Sequence, residues 1–253
     1  MIHYRDNGFH EGPVPMDPTA PAFRFGTGFF ETIYYNGTRL CLLDAHLDRL
    51  LGAFRAYGLE YETVDFPAVC LETVKRNQLA DRPARVNIFY PVEDGPARPV
   101  ILAAPYEPSP HKTFRLCVCN DRHVSTLAHC KTMSHMFYHL AWTRARARGF
   151  DDAAILDFHD HLLETGTASL LFERDGAFFE PESRYKLAGT AIAVARRMLD
   201  IAPVQISLDA LPEYDHAYVL NSLTGMRPVV SIGETAFVPA DDTCKQVTRE
   251  ILG

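Results

Sequence analysis

Lys131 sits in the stretch AHCKTMSHMFYHLAW with Cys130, Thr132 and Met133 around it, so no charge stands beside it, unlike Lys75. An amine that acts as a nucleophile must be neutral part of the time, and a partly desolvated setting favours that. Glu164 follows in LLETGTASLLF, where a carboxylate is costly to bury unless something pairs with it. Two small, hydroxyl-rich turns come later, AGTA at 188–191 and NSLTG at 221–225, and Arg49 lies upstream in DAHLDRL. Thr190 precedes an apolar helix beginning near Ile192, and a helix N-terminus is a ready phosphate site. Each residue has an ordinary alternative: a solvated lysine, an exposed strand-end glutamate, a simply capped helix. Together they meet the needs of pyridoxal phosphate, namely an amine for its aldehyde, a counter-charge for its ring nitrogen and donors for its phosphate.

Elements that could position these groups are legible along the chain. FFETIYY, Asn36-Gly37 and TRLCLL read as a hairpin. Asp44 is placed to cap a helix carrying Leu47, Leu50, Leu51, Phe54 and Tyr57 at helical spacing, closed by Gly58. A second helix is expected over 67–79, and ARVNIFYPV and RPVILAAPY as paired strands. Pro105, Pro108 and Pro110 mark a boundary. This divides the chain into an N-terminal domain (1–106), a linker (107–113) and a C-terminal domain (114–253). In the latter a strand at 114–119 precedes an irregular run to Lys131, then a helix over 134–148. Strands are expected at AAILD, 162–164, 167–173, 177–179, 203–208, 217–221 and 228–232, with helices over 190–200 and 241–252. Strands and helices mix without regular alternation, which argues for α+β layers.

Composition narrows the class. The chain has 253 residues, 47% hydrophobic and 23% charged, with a net charge of −7. An acidic balance argues against a general nucleic-acid binder. No apolar run reaches the ~18–20 residues of a membrane span, and the N-terminus lacks a secretory pattern. The six scattered cysteines form no C-x-x-C and read as small reduced hydrophobes of a cytoplasmic protein. His135 and His139 are at i, i+4, and His159 and His161 flank Asp160, yet neither pair carries the glutamate of H-E-x-x-H, so no metal site is expected.

FRFGTGFFETI, Asn36-Gly37 and LLDAHLDRL resemble the opening of class IV (fold-type IV) pyridoxal-phosphate enzymes, where a YGDGxFET-like strand precedes HLxRL. CKT…RGFDDAAILD…LLET is similar to the family's lysine–helix–strand–glutamate segment. LAGTA resembles its phosphate turn, and NSLTGMRPV its last cofactor turn. The resemblance spans residues 23–232 in order. It implies a two-domain α+β fold of the D-amino-acid aminotransferase type, with a smaller N-terminal α/β domain and a larger C-terminal pseudo-barrel domain. It also implies a homodimer acting on a small amino substrate. The roles it implies are Lys131 as the imine-forming and proton-shuttling lysine, Glu164 at the pyridine nitrogen, and Arg49, Gly189, Thr190, Ala191, Ser222 and Leu223 around the phosphate.

The NSLTGMRPV turn resembles that of aminodeoxychorismate lyases, which release pyruvate and 4-aminobenzoate. Branched-chain or D-amino-acid aminotransferases are the alternative, and a non-catalytic homologue that only binds cofactor or ligand is a further one. Several positions depart from the family pattern. Thr27 stands for an aspartate, Ser169 for an asparagine, Thr190-Ala191 for isoleucine-threonine, and Tyr90-Pro91 for arginine-glycine. His135 or Met136, with Tyr138 nearby, occupies the place of an aromatic or basic residue. The substrate side is therefore expected to involve Thr27, Tyr90, His135 and Arg227, with Arg24 and Arg85 as other candidate cations.

Overall fold

The computed structural model describes all 253 residues. They fall into two compact units: Met1–Pro108 with Cys130–His135 and Leu252, and Ser109–His129 with Met136–Ile251 and Gly253. The lysine-bearing segment thus packs with the first unit, although it follows the proline-rich stretch in sequence.

The first unit contains β1 (Ile2–Arg5), β2 (Gly8–Glu11), α1 (Pro21–Phe25), β3 (Gly28–Asn36), α2 (Leu43–Ala56), α3 (Phe66–Arg76), β4 (Pro83–Pro91) and β5 (Val100–Pro105). Its five strands form an antiparallel sheet in the order β2-β1-β5-β4-β3. Successive strand residues point to opposite faces, and that alternation divides the sheet. Phe29, Ile33 and Tyr35 of β3, with Ala84, Val86, Ile88 and Tyr90 of β4, enter a core built with Leu50 and Phe54 of α2 and Cys70 and Val74 of α3. Phe30 and Thr32 take the other face, opposite Phe89 and Asn87.

Local chemistry explains where these elements differ from expectation. Asn36 Oδ1 accepts the N–H groups of Thr38 and Arg39, so the Asn-Gly turn forms. TRLCLL, however, makes only an isolated bridge between Tyr35 and Leu40. The chain turns at Leu42 (φ 55°) and α2 begins at once, because Leu43, Leu47, Leu50 and Phe54 bury one helical face. Leu42 occupies the N-cap, so Asp44 lies in the first turn, where its charge complements the helix dipole. Asp65 caps α3 by accepting the Ala68 N–H. A further hairpin, β1–β2, hinges on Asp6 and Asn7 at positive φ.

The second unit contains β6 (Phe114–Val118), α4 (Met136–Ala147), β7 (Asp152–Leu156), β8 (Leu162–Thr165), β9 (Ser169–Arg174), β10 (Ala177–Pro181), α5 (Thr190–Met198), β11 (Ile201–Val204), β12 (His216–Asn221), β13 (Gly225–Ile232), β14 (Thr235–Ala236) and α6 (Asp241–Leu252). One curled sheet runs β11-β10-β9-β12-β13-β6-β7-β8, with β14 on β13. The pairs β10/β11, β13/β6 and β6/β7 are parallel and the rest antiparallel, so the α+β expectation holds. Leu116, Leu156, Leu170, Phe172, Val219 and Val229 form one core. Cys117, Ala153, Ile155 and Leu163 form another, beneath Ala141 and Ala145 of α4. All six cysteines are buried and none is in a disulfide. No helix is long and apolar enough to cross a membrane.

His3 of β1 is buried in this fold. Burial, followed by the neighbouring His10, lowers its pKa below 6.5, with smaller contributions from Arg5 and the N-terminal amine. The unfolded chain therefore binds the proton more readily, and the stability tied to neutral His3 is lost as pH falls below about 6.5. Urea midpoints measured from pH 7 to 5 should fall less steeply for His3→Phe than for the wild type.

Candidate active site

The groups expected to do chemistry are held by each unit in its own way. In the first unit, the segment Cys130–His135 lies along β3. The Phe30 N–H donates to the Lys131 carbonyl and the Met133 N–H to the Gly28 carbonyl, both at 2.9 Å. This approach is possible because FGTG supplies glycines. A Cβ on Gly28 would sit 2.3 Å from the Tyr90 oxygen and 2.8 Å from Met133 Sδ, and one on Gly26 would sit 2.8 Å from the Ser134 Cα. Gly28 and Gly26 also take φ values of 141° and 67°, which side-chain-bearing residues rarely adopt.

Held this way, Lys131 places its Nζ 4.7 Å from the centroid of the Phe30 ring. Phe30 stacks on Phe89 and receives the edge of His135 at 5.3 Å. Lys131 is half-buried, and the adjoining Cys130 thiol is pushed up by burial while Arg49 works the other way. Arg49 itself is fixed by a buried carboxylate. Its Nε and Nη2 donate to Glu31 Oε1 and Oε2 at 2.7 and 2.6 Å, and His46 Nδ1 lies 2.7 Å from Oε2. Burial alone would raise the Glu31 carboxyl. The His46 hydrogen bond and the Arg49 charge outweigh it and hold the group at about 2, so Glu31 stays ionised and Arg49 keeps one orientation.

In the second unit, Glu164 is the penultimate residue of β8 and is 5% exposed. Both its oxygens accept hydrogen bonds, Oε1 from the Tyr138 hydroxyl at 2.9 Å and Oε2 from the Leu187 N–H at 3.2 Å. The turn after it is built around Asp152, which accepts the N–H groups of Ala153, Gly166 and Thr167 and the hydroxyls of Thr165 and Thr167. Gly166 is required there, since a Cβ would fall 2.6 Å from Asp152 Oδ1. Asp152 thereby sets the spacing between Glu164 and Ser169. Gly189 is the N-cap of α5 and offers no side-chain cap; a Cβ on it would sit 2.7 Å from Ser169 Oγ. Thr190 and Ala191, both buried, open the helix. Asn221 Oδ1 accepts the N–H groups of Leu223 and Thr224, shaping the turn that carries Ser222 and Leu223.

The structure brings Lys131, Arg49 and His135 into the first unit and Glu164, Gly189, Thr190, Ala191, Ser222 and Leu223 into the second. Thr27 stands between the two glycines that admit the lysine segment, its carbonyl accepting the Val92 N–H. Tyr90 is not brought to Lys131. It is fully buried in the first unit's core, donating its hydroxyl to the Glu62 carbonyl, because strand alternation turns Phe89 toward the Lys131 face instead. Arg227 is buried against α6, where Nη1 donates to Thr248 Oγ1 and to the Met226 carbonyl. Sequence reasoning missed Glu31, His46, Phe30, Phe89 and Asp152. The glutamate in the apolar strand FFETIYY was a signal for the first, and β3–β4 alternation for the aromatic pair.

Comparison with known proteins bears on this arrangement. A family model described as "Amino-transferase class IV" matches residues 28–232. An aminodeoxychorismate lyase of Vibrio harveyi is 24% identical over 250 residues, covering 89% of this chain and 90% of that protein. A probable branched-chain-amino-acid aminotransferase of Rickettsia bellii is 22% identical over 242 residues, covering 87% and 83%. Among solved structures, the branched-chain aminotransferase of Thermoproteus uzoniensis superposes with a TM-score of 0.87 at 20% identity, covering 99% of this chain and 93% of that one.

Gly28→Ala tests the packing of the lysine segment. The methyl would meet backbone and sulfur at a φ that disfavours alanine, so a loss of about 2–4 kcal/mol is expected in urea unfolding. Gly52→Ala, at a helical glycine whose Cβ would meet nothing closer than 3.9 Å, should be neutral or mildly stabilising.

Proposed function

The chain belongs to the class IV aminotransferase family, whose members are pyridoxal-phosphate-dependent lyases and aminotransferases, and from that premise we propose that it is an aminodeoxychorismate lyase. On this reading it converts 4-amino-4-deoxychorismate to 4-aminobenzoate and pyruvate. A homodimer, a cytoplasmic location and a place in folate biosynthesis go with this reading.

The residues present fit the cofactor. Glu164 is a buried carboxylate whose two oxygens both accept hydrogen bonds, an arrangement that suits a partner for a protonated ring nitrogen. α5 begins without a side-chain cap at a glycine closely packed on Ser169, as an anion-binding helix start requires. Arg49, held by Glu31, the Thr190 and Ala191 amides, and Ser222 with Leu223 would hold the phosphate. When bound, pyridoxal phosphate supplies an aldehyde for an imine link and a ring that withdraws electrons.

The chain's own groups then have distinct tasks. Lys131 Nζ would hold the cofactor through its aldehyde. With substrate in place, the same amine would take the proton from the carbon bearing the substrate's amino group and later return one, serving as base and acid in turn. Its seat beside the Phe30 ring limits the water around it. Glu164 would face the ring nitrogen and favour its protonated form. Thr27, beside the lysine segment, and His135, at its end, would be the substrate contacts; Tyr90 and Arg227 are buried in their own units. The reaction needs no co-reactant, because the substrate's atoms divide between the two products.

The observation that carries the lyase reading is the Asn221–Gly225 turn. Asn221 folds it, and Gly225, at φ 71°, packs where a Cβ would sit 2.6 Å from Thr248. Its NSLTG sequence resembles that of the lyases. The second reading, a branched-chain or D-amino-acid aminotransferase, is supported by the Rickettsia relative.

One assay separates the two. Incubation with aminodeoxychorismate should yield 4-aminobenzoate and pyruvate in equal amounts. Incubation with branched-chain or D-amino acids alone should leave the visible band at ~410–430 nm in place. Stoichiometric conversion to a stable band near ~330 nm, with no 4-aminobenzoate formed, would establish the aminotransferase instead.

A further inference from the structure

We propose that Tyr138 is a positioning residue for Glu164: its hydroxyl, donating to Oε1 while the Leu187 N–H donates to Oε2, lowers the basicity of the carboxylate and so keeps the shared proton on the cofactor's ring nitrogen. The proposal rests on the reading that Glu164 faces that nitrogen.

Tyr138 lies in the first turn of α4, whose Ala141 and Ala145 pack on the second unit's sheet, so its backbone is fixed by that packing. The ring is fixed as well. Phe137 meets it edge-on at 5.8 Å, and His123 does so at 5.2 Å while stacking on Phe137 at 4.1 Å. The hydroxyl reaches Glu164 Oε1 at 2.9 Å. Burial, and then the Glu164 charge, push the phenol far above its usual range, so it remains a donor at any working pH.

The second donor has equally little freedom. Leu187 belongs to the loop that runs from β10 to Gly189. That loop is pinned by its neighbour Lys186, whose Nζ lies 3.6 Å from Glu180. Glu180 is held in turn by Arg196 of α5 at 2.8–3.0 Å. The Lys186 and Glu164 charges attract each other, and the tyrosine, the amide and this cation all favour the ionised carboxylate. An acid that shares a proton with a pyridine nitrogen leaves it on the nitrogen only while the acid is the weaker base. Removing one donor raises the carboxylate's proton affinity and moves the proton toward Glu164.

Tyr138→Phe keeps the ring and its packing and removes only the oxygen. Holoenzymes of the wild type, Tyr138→Phe and Glu164→Gln would be reconstituted with pyridoxal phosphate carrying ¹⁵N in its ring. The ¹⁵N chemical shift then reports protonation of the ring nitrogen without turnover. The expected result is a protonated-pyridinium shift in the wild type, a clear displacement toward neutral pyridine in Tyr138→Phe, and a displacement at least as large in Glu164→Gln. A displacement in Glu164→Gln with an unchanged shift in Tyr138→Phe would overturn the role of Tyr138 alone. Unchanged shifts in both variants would overturn the placement of Glu164, and this proposal with it.

Discussion

The site depends on how closely one short segment can approach one strand. Cys130–His135 lies along β3 through two backbone hydrogen bonds, and the space it fills exists only because residues 26 and 28 have no side chain. A lysine on an ordinary surface loop would be solvated and free to move. Here the backbone of Lys131 is tied to the strand that also carries Phe30 and Glu31. The same strand therefore positions the amine, the ring beneath it and the carboxylate that orients Arg49. A nucleophile held on a rigid element is better placed for reaction than one on a flexible loop.

Three buried carboxylates then divide the electrostatic work, each stabilised differently. Glu31 faces an arginine and a histidine and stays ionised at about 2 because charge compensates burial. Asp152 accepts from five neutral donors, and burial still pushes its carboxyl up. It organises a turn, where ionisation is not needed for chemistry. Glu164 stands between these cases, with two donors and a nearby lysine charge. Removing one partner of a buried charge typically costs about 3–5 kcal/mol, more than most single contacts in a fold contribute. That magnitude explains why each carboxylate is so fully engaged.

Much of this was legible in the sequence. Lys131, Glu164 and the small turns at 188–191 and 221–225 stand out by residue type and order, and most helices and strands by periodicity. The boundaries that failed did so where a local signal met a stronger tertiary demand. TRLCLL has strand composition, yet the leucines from 43 onward bury more surface as a helix. Tyr90 stands where the family pattern has an arginine, which points to the substrate side, but alternation along β4 sends its side chain to the core with Val86 and Ile88. Asp152 meets its turn partners 13–15 residues along the chain through sheet pairing, and Tyr138 meets Glu164 26 residues away through helix packing, so neither pairing is visible in a local pattern.

The claim on which the account turns is that Lys131 carries the cofactor, and borohydride reduction of the holoenzyme tests it most directly. Reduction fixes the cofactor to whichever amine holds it, and peptide mapping locates the label. The account predicts one phosphopyridoxyl group per chain, on the peptide containing Lys131. A label on Lys186, whose side chain is 12% exposed, with Lys131 unmodified, would contradict it.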